Sequence, residues 1–145
     1  MSLWHKTPSL EQINLSHDNT AVSQMGIEFT EIGDDYLVAR MPVDARTRQP
    51  AGLLHGGATM LFAETLASCA AWQTIDRAKT DAVGLEINAN HLRAVREGWV
   101  TGRVAPIHAG RSTQVWEVRV TDEKERLVSV GRVTVSLIAK APSAA

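Results

Sequence analysis

The 145 residues leave room for one domain with its own core and not for two, and 44% hydrophobic with 21% charged residues excludes a disordered chain. Fifteen basic against sixteen acidic residues give a net charge of −1, so no global field draws nucleic acid or an anionic membrane. The single cysteine, Cys69, excludes an intramolecular disulfide, no Cys/His cluster has the spacing of a zinc site, and the first six residues lack the apolar run of a signal peptide. A cytoplasmic protein is expected.

Residues 9–24 read as one or two short helices, with Ser9 as an N-cap. Met25 to Ile32 and Tyr36 to Met41 read as strands joined by the turn Gly33-Asp34-Asp35, and Val43 to Leu54, bounded by Pro42 and Pro50, as a long loop. Gly56 to Ile75 is the longest helical run. Its apolar residues cover every side, which predicts a buried helix, and its polar residues make it unsuitable as a membrane span.

Four β-branched runs follow: 83–95, 98–107, 112–121 and 127–138. Arg96-Glu97-Gly98, His108-Ala109-Gly110 and Asp122 to Glu125 mark three reversals, so consecutive hairpins and an antiparallel meander are expected. The sheet must cover its apolar face, and one long helix is available to do so. The expected architecture is α+β, a single domain over 1–145 with a curved sheet wrapped around a helix and a short tail at 141–145.

Glu64 is the only charged residue between Gly56 and Ile75. Within a buried helix such a carboxylate would be partly desolvated and basic enough for proton transfer or nucleophilic attack. A structural glutamate paired with an arginine is the alternative. Ser68, four residues on, shares its helical face and can hold a water or the carboxylate.

His55-Gly56-Gly57 opens the helix. Glycines there allow close approach to unbonded N–H groups that, with the helix dipole, stabilise an oxyanion. A tight turn capped by His55 accounts equally for the same residues. Gly56 and Glu64 lie about 12 Å apart along one helix, too far for both to act on one carbonyl. If both act on one carbonyl, they come from different chains, in a dimer with two equivalent sites.

The run Gln49 to Gly57, then Ala63-Glu64-Thr65 with Ser68, then Asn88 to Arg93, resembles the hotdog-fold acyl-CoA thioesterases. It is nearest the branch of 4-hydroxybenzoyl-CoA thioesterase of the Arthrobacter type and 1,4-dihydroxy-2-naphthoyl-CoA thioesterase. The resemblance implies that Glu64 is the catalytic nucleophile or general base and that the Gly56 N–H polarises the thioester oxygen. It further implies that Gln49 and His55 position that carbonyl and that Ser68 orients the water. Asn90, His91 and Arg93, with Gly110, Arg111, Ser112 and Thr113, would hold the CoA nucleotide; arginines and hydroxyls beside turn N–H groups suit its phosphates. A homodimer forming the active site, a homotetramer, no metal and no bound cofactor are implied as well. An aryl-CoA, in menaquinone or phylloquinone synthesis, is the specific expectation. Broad medium-chain activity and a binding module without hydrolysis are the alternatives. His17 reads as a surface residue, and Cys69 as packing.

Overall fold

The computed structural model describes residues 2–141, so the predicted tail lies, beyond Ala141, outside the described residues. The elements run α1 (Leu10–Ser16), α2 (Ala21–Gln24), β1 (Glu28–Ile32), β2 (Leu37–Pro42), α3 (Gly56–Gln73), β3 (Thr80–His91), β4 (Trp99–Ala109), β5 (Thr113–Thr121) and β6 (Leu127–Ala139). Ser9 caps α1 as expected, its side chain accepting from the Gln12 N–H. Among the described residues no helix is long and apolar enough to cross a membrane.

The six strands form one antiparallel sheet in the order β1-β2-β4-β5-β6-β3. The expected meander holds for β4, β5 and β6 only. Instead of forming a hairpin with β4, β3 pairs with β6 at the opposite edge, from Thr80 against Ala139 to His91 against Ser129. Both sides of β4 are taken by β2 and β5, so residues 92–98 make a crossover rather than a reversal. The composition of β3 suits that position: Glu86, Asn88, Asn90 and His91 are exposed, which an edge strand tolerates and a central one does not.

Helix α3 lays Phe62, Leu66 and a row of alanines (58, 63, 67, 70 and 71) on the concave face of the sheet. There they meet Val100, Val104, Trp116, Val118, Val133 and Val135, all buried. The alanines let helix and sheet approach closely. The C-terminal end of α3 is tied to β5 by a relay: Trp116 Nε1 donates to Gln114 Oε1 (3.1 Å), Gln114 Nε2 to Thr74 Oγ1 (2.8 Å), and Thr74 Oγ1 to the Ala71 carbonyl (2.7 Å).

The expectation of a helix buried on all sides is corrected. The side turned away from the sheet is open in the single chain: Gly57 and Glu64 are exposed, and Leu61, Thr65, Ser68 and Trp72 half-buried. An apolar composition all round cannot distinguish burial under the chain's own sheet from burial under another molecule.

Candidate active site

The loop before α3 places the first group of site residues. Its anchor is Thr47, buried, whose Oγ1 donates to the Pro42 carbonyl (2.6 Å) and accepts from the Asp44 N–H (3.2 Å). The Thr47 carbonyl in turn accepts from the His55 N–H (2.8 Å), and Leu54 N–H donates to the Val95 carbonyl (2.8 Å). The loop thus presents Gln49, whose side-chain oxygen accepts from the Ala51 N–H, beside the start of the helix.

At that start the two readings of His-Gly-Gly divide between neighbouring residues. His55 is the N-cap, and its Nδ1 accepts from the Gly57 N–H at 2.8 Å, so the neutral ring carries its proton on Nε2. Gly56 N–H has no hydrogen-bond partner among the described residues. It remains as a donor at a helix N-terminus, which is what an oxyanion needs. Gly56 packs against β3: a Cβ there would stand 3.1 Å from His91 Nε2. Gln49, Gly56, Thr59, His91 and Arg93 line one cleft of about 350 Å³.

Glu64 lines a different cavity, of about 550 Å³, together with Leu61, Thr65, Ser68, Cys69 and Trp72. Ser68 therefore shares its space with Glu64, as their spacing predicts. The partial desolvation expected for Glu64 is not found within the single chain, where the residue is exposed, because nothing of this chain covers that side of α3. Cys69 is nine-tenths buried, and burial pushes its thiol up to about 12, which agrees with a packing role.

The residues expected to hold a nucleotide are split by the sheet register. His91 is paired with Ser129, whereas Thr113 and Val83 are both paired with Ser136 on either side of β6. Seven residues of strand therefore separate His91 from the turn Gly110 to Thr113, about 23 Å at a strand's rise. Asn90, His91 and Arg93 stand at the Gly56 end, and Gly110, Arg111, Ser112 and Thr113 at the end near Gly84 and Glu64.

Two residues were missed by the sequence reading. Gly84 on β3 faces Glu64, and a glycine inside a strand pattern is itself a signal of close approach or of a bulge. A bulge does follow, between Gly84 and Glu86. His17, expected at the surface, is half-buried at the end of α1 and lines the Glu64 cavity; nothing in its sequence surroundings points there.

The thioesterase superfamily model matches residues 51–129, the stretch that carries Gly56, Glu64, Ser68, the β3 residues and the β4–β5 turn. The chain belongs to the thioesterase superfamily. Its six-stranded antiparallel sheet around one long helix is the hotdog fold of that superfamily. The chain is 44% identical over 136 residues to the 1,4-dihydroxy-2-naphthoyl-CoA hydrolase of Escherichia coli, covering 94% of this chain and 99% of that one. It is 45% identical over 136 residues to a proofreading thioesterase of Cronobacter turicensis, covering 94% and 98%. The crystal structure of a mutant thioesterase from Pseudomonas aeruginosa superposes with a TM-score of 0.95 at 44% identity, over 96% of this chain and all of that one. The thioesterase is thus an enzyme of thioester hydrolysis, with its candidate groups held in two separate clefts.

Proposed function

We propose that the thioesterase hydrolyses an acyl-CoA thioester with an aromatic acyl group, such as a hydroxybenzoyl or 1,4-dihydroxy-2-naphthoyl group, at sites built by two chains. The observation that carries this reading is the unbonded Gly56 N–H lying in one cleft and Glu64 in another. Acyl transfer needs a donor at the carbonyl oxygen and a base or nucleophile at the carbon, within a few ångströms of each other.

The free edge of β3 supplies a way to unite them. It is twelve residues long and exposes Val83 and Leu85, a template for pairing with another strand. Antiparallel pairing of two β3 edges about a twofold axis at Asn88 would set the bulge that follows Gly84 in one chain opposite the partner's His91. Glu64, which abuts Gly84, would then approach the partner's Gly56, which abuts the partner's His91. The same pairing would bring the Gly110 to Thr113 turn toward the partner's Arg93, reuniting the two halves of the nucleotide-binding set. In such a dimer the open side of α3 is covered, and Glu64 acquires the desolvated setting that one chain does not provide.

In the proposed reaction the thioester oxygen accepts from the Gly56 N–H, with Gln49 and the His55-capped loop fixing the carbonyl. Glu64 either attacks the carbonyl carbon, forming an acyl-enzyme anhydride that water then hydrolyses to regenerate the carboxylate, or takes a proton from a water held by Ser68, whose oxygen attacks the carbon. The C–S bond breaks and CoA leaves as its thiol with the proton released by water, while the acyl group leaves as the free acid. An aromatic acyl group fits a cavity walled by Leu61, Val22, Trp72 and Ala82. The similarity to a dihydroxynaphthoyl-CoA hydrolase supports that class of substrate and a place in quinone synthesis.

The test is a panel of aryl-CoA and aliphatic acyl-CoA esters ranked by kcat/KM, with CoA release followed by a thiol reagent. Aryl esters should lead the ranking, and Glu64→Ala should lower kcat roughly a thousandfold. A protein that binds the esters without releasing CoA, or an Ala variant that keeps most of its turnover, would refute the reading.

A further inference from the structure

The cavity that holds Glu64 has a cation in its wall as well as a carboxylate. Trp72 stands eight residues beyond Glu64, about 12 Å along the axis of α3, and both line that cavity. The Trp72 ring is pinned to β3 by its Nε1, which donates to the Ala82 carbonyl (3.1 Å). Over the ring lies the Arg77 guanidinium, its central carbon 3.9 Å from the ring centroid. A planar cation on an indole face is attracted to it, and the contact fixes a side chain that would otherwise sweep through solvent. Arg77 is exposed, yet it lines the same cavity as Glu64 and Trp72.

The backbone beneath Arg77 is held too. Ala78 N–H donates to Asp76 Oδ1 (3.1 Å), and Lys140 Nζ donates to the Arg77 carbonyl (2.7 Å). The two acids nearest in sequence are taken by lysines, Asp76 by Lys79 (3.5 Å) and Asp81 by Lys140 (3.1 Å). The Arg77 guanidinium therefore keeps its N–H donors free, with no hydrogen bond or ion pair among the described residues. Its charge reaches the cavity wall: burial raises the Cys69 thiol, and Arg77 acts against that rise.

We propose that Arg77 is a specificity-determining residue of the acyl pocket, donating to an acceptor oxygen, of a hydroxyl or a carboxylate, at the end of the aromatic acyl group far from the thioester. The proposal rests on the aryl-CoA reading above and adds to it the group that separates oxygenated from plain aromatic acyl groups. Glu64 at the reacting end repels a second anion, and Arg77 attracts it, so the two charges together orient the ester in one direction. Arg77 stands apart from the Gly56 oxyanion donor, which lies in the other cleft. Its loss should change which ester is chosen and not how the carbonyl is attacked.

The experiment measures kcat/KM for benzoyl-CoA and its 4-methyl, 4-hydroxy and 4-carboxy derivatives in three proteins. These are the unsubstituted chain, Arg77→Met, which keeps an apolar stem on Trp72, and Arg77→Lys, which keeps the charge. The ratio of variant to unsubstituted protein, taken ester by ester, cancels the intrinsic reactivity of each ester. Arg77→Met should lower kcat/KM about tenfold for the hydroxy or the carboxy ester and leave the benzoyl and methyl esters unchanged. Whichever of the two oxygenated esters loses more identifies the acceptor, and Arg77→Lys should keep part of the preference. Unchanged values for all four esters would overturn the proposal. So would an equal fall for all four, which together with weaker inhibition by free CoA would place Arg77 on the CoA phosphates. Failure of the unsubstituted protein to hydrolyse any of the four would instead refute the aryl-CoA reading itself.

Discussion

Glu64 lies directly against Gly84: a Cβ on Gly84 would stand 3.0 Å from Glu64 Oε1. The backbone of β3 therefore forms the wall against which the candidate catalytic carboxylate rests. Gly84→Ala should displace the end of a flexible side chain without disturbing the core, because Gly84 is exposed on an edge strand. The expected result is a kcat about tenfold to a hundredfold lower with a nearly unchanged melting temperature, read by steady-state kinetics beside a thermal melt. Full activity in this variant would mean that the carboxylate position is not critical.

Sites shared between chains make a prediction that no single-chain site can imitate. Gly56 is the first residue of α3, and His55 before it is already extended, with ψ 129. Both conditions suit proline, so Gly56→Pro should delete the N–H with little cost to the helix, provided His91 yields slightly. Glu64→Ala and Gly56→Pro should each be inactive alone. Unfolded together in equal amounts and refolded, they should recover about a quarter of normal activity, since half the dimers are mixed and each holds one intact site. No recovery would place both groups of a site in one chain.

Cys69 lines the same cavity as Glu64 yet should be inert. With its thiol pushed up to about 12 by burial, the thiolate fraction near neutral pH falls roughly a thousandfold below that of a free cysteine. Native protein should react with Ellman's reagent at least that much more slowly than unfolded protein, and Cys69→Ala should retain turnover. Rapid labelling coupled to loss of activity would contradict this.

The loop that carries Gln49 and His55 has an acid-sensitive anchor. The Arg46 guanidinium holds the Asp44 carboxyl down to about 2 through side-chain and backbone hydrogen bonds. A carboxyl depressed in the folded state contributes its full stability above its unfolded value near 4, and loses it as pH falls toward 2. The melting temperatures of the unsubstituted protein and Asp44→Asn should therefore differ by a constant amount above about pH 5 and converge in acid. The difference should be small, because both partners of the pair are about half exposed. A gap that widened on acidification would rule out this linkage.

Much of the candidate site was legible in the chain. Glu64 stood out as a lone charge in an apolar run, His55-Gly56-Gly57 as a helix start, and their spacing as too long for one carbonyl, because helix rise and the reach of a hydrogen bond are local constants. The hotdog architecture followed from one long helix beside strands with an apolar face. The partner of β3 could not be read, because strand pairing is a competition between distant segments: a turn-forming sequence at residues 96–98 is equally compatible with a hairpin and with the crossover that occurs.

Length and composition left room for one small domain with one long helix beside its strands, and the sequence around that helix determined which residue types stand ready for chemistry. Only the tertiary structure decided that β3 lies at a free edge, that Glu64 rests on Gly84 while Gly56 rests on His91, and that His17 enters the pocket wall. Those relations depend on register along β6 and on which face each element leaves uncovered. Both are set by packing across the whole domain rather than by any local run of residues.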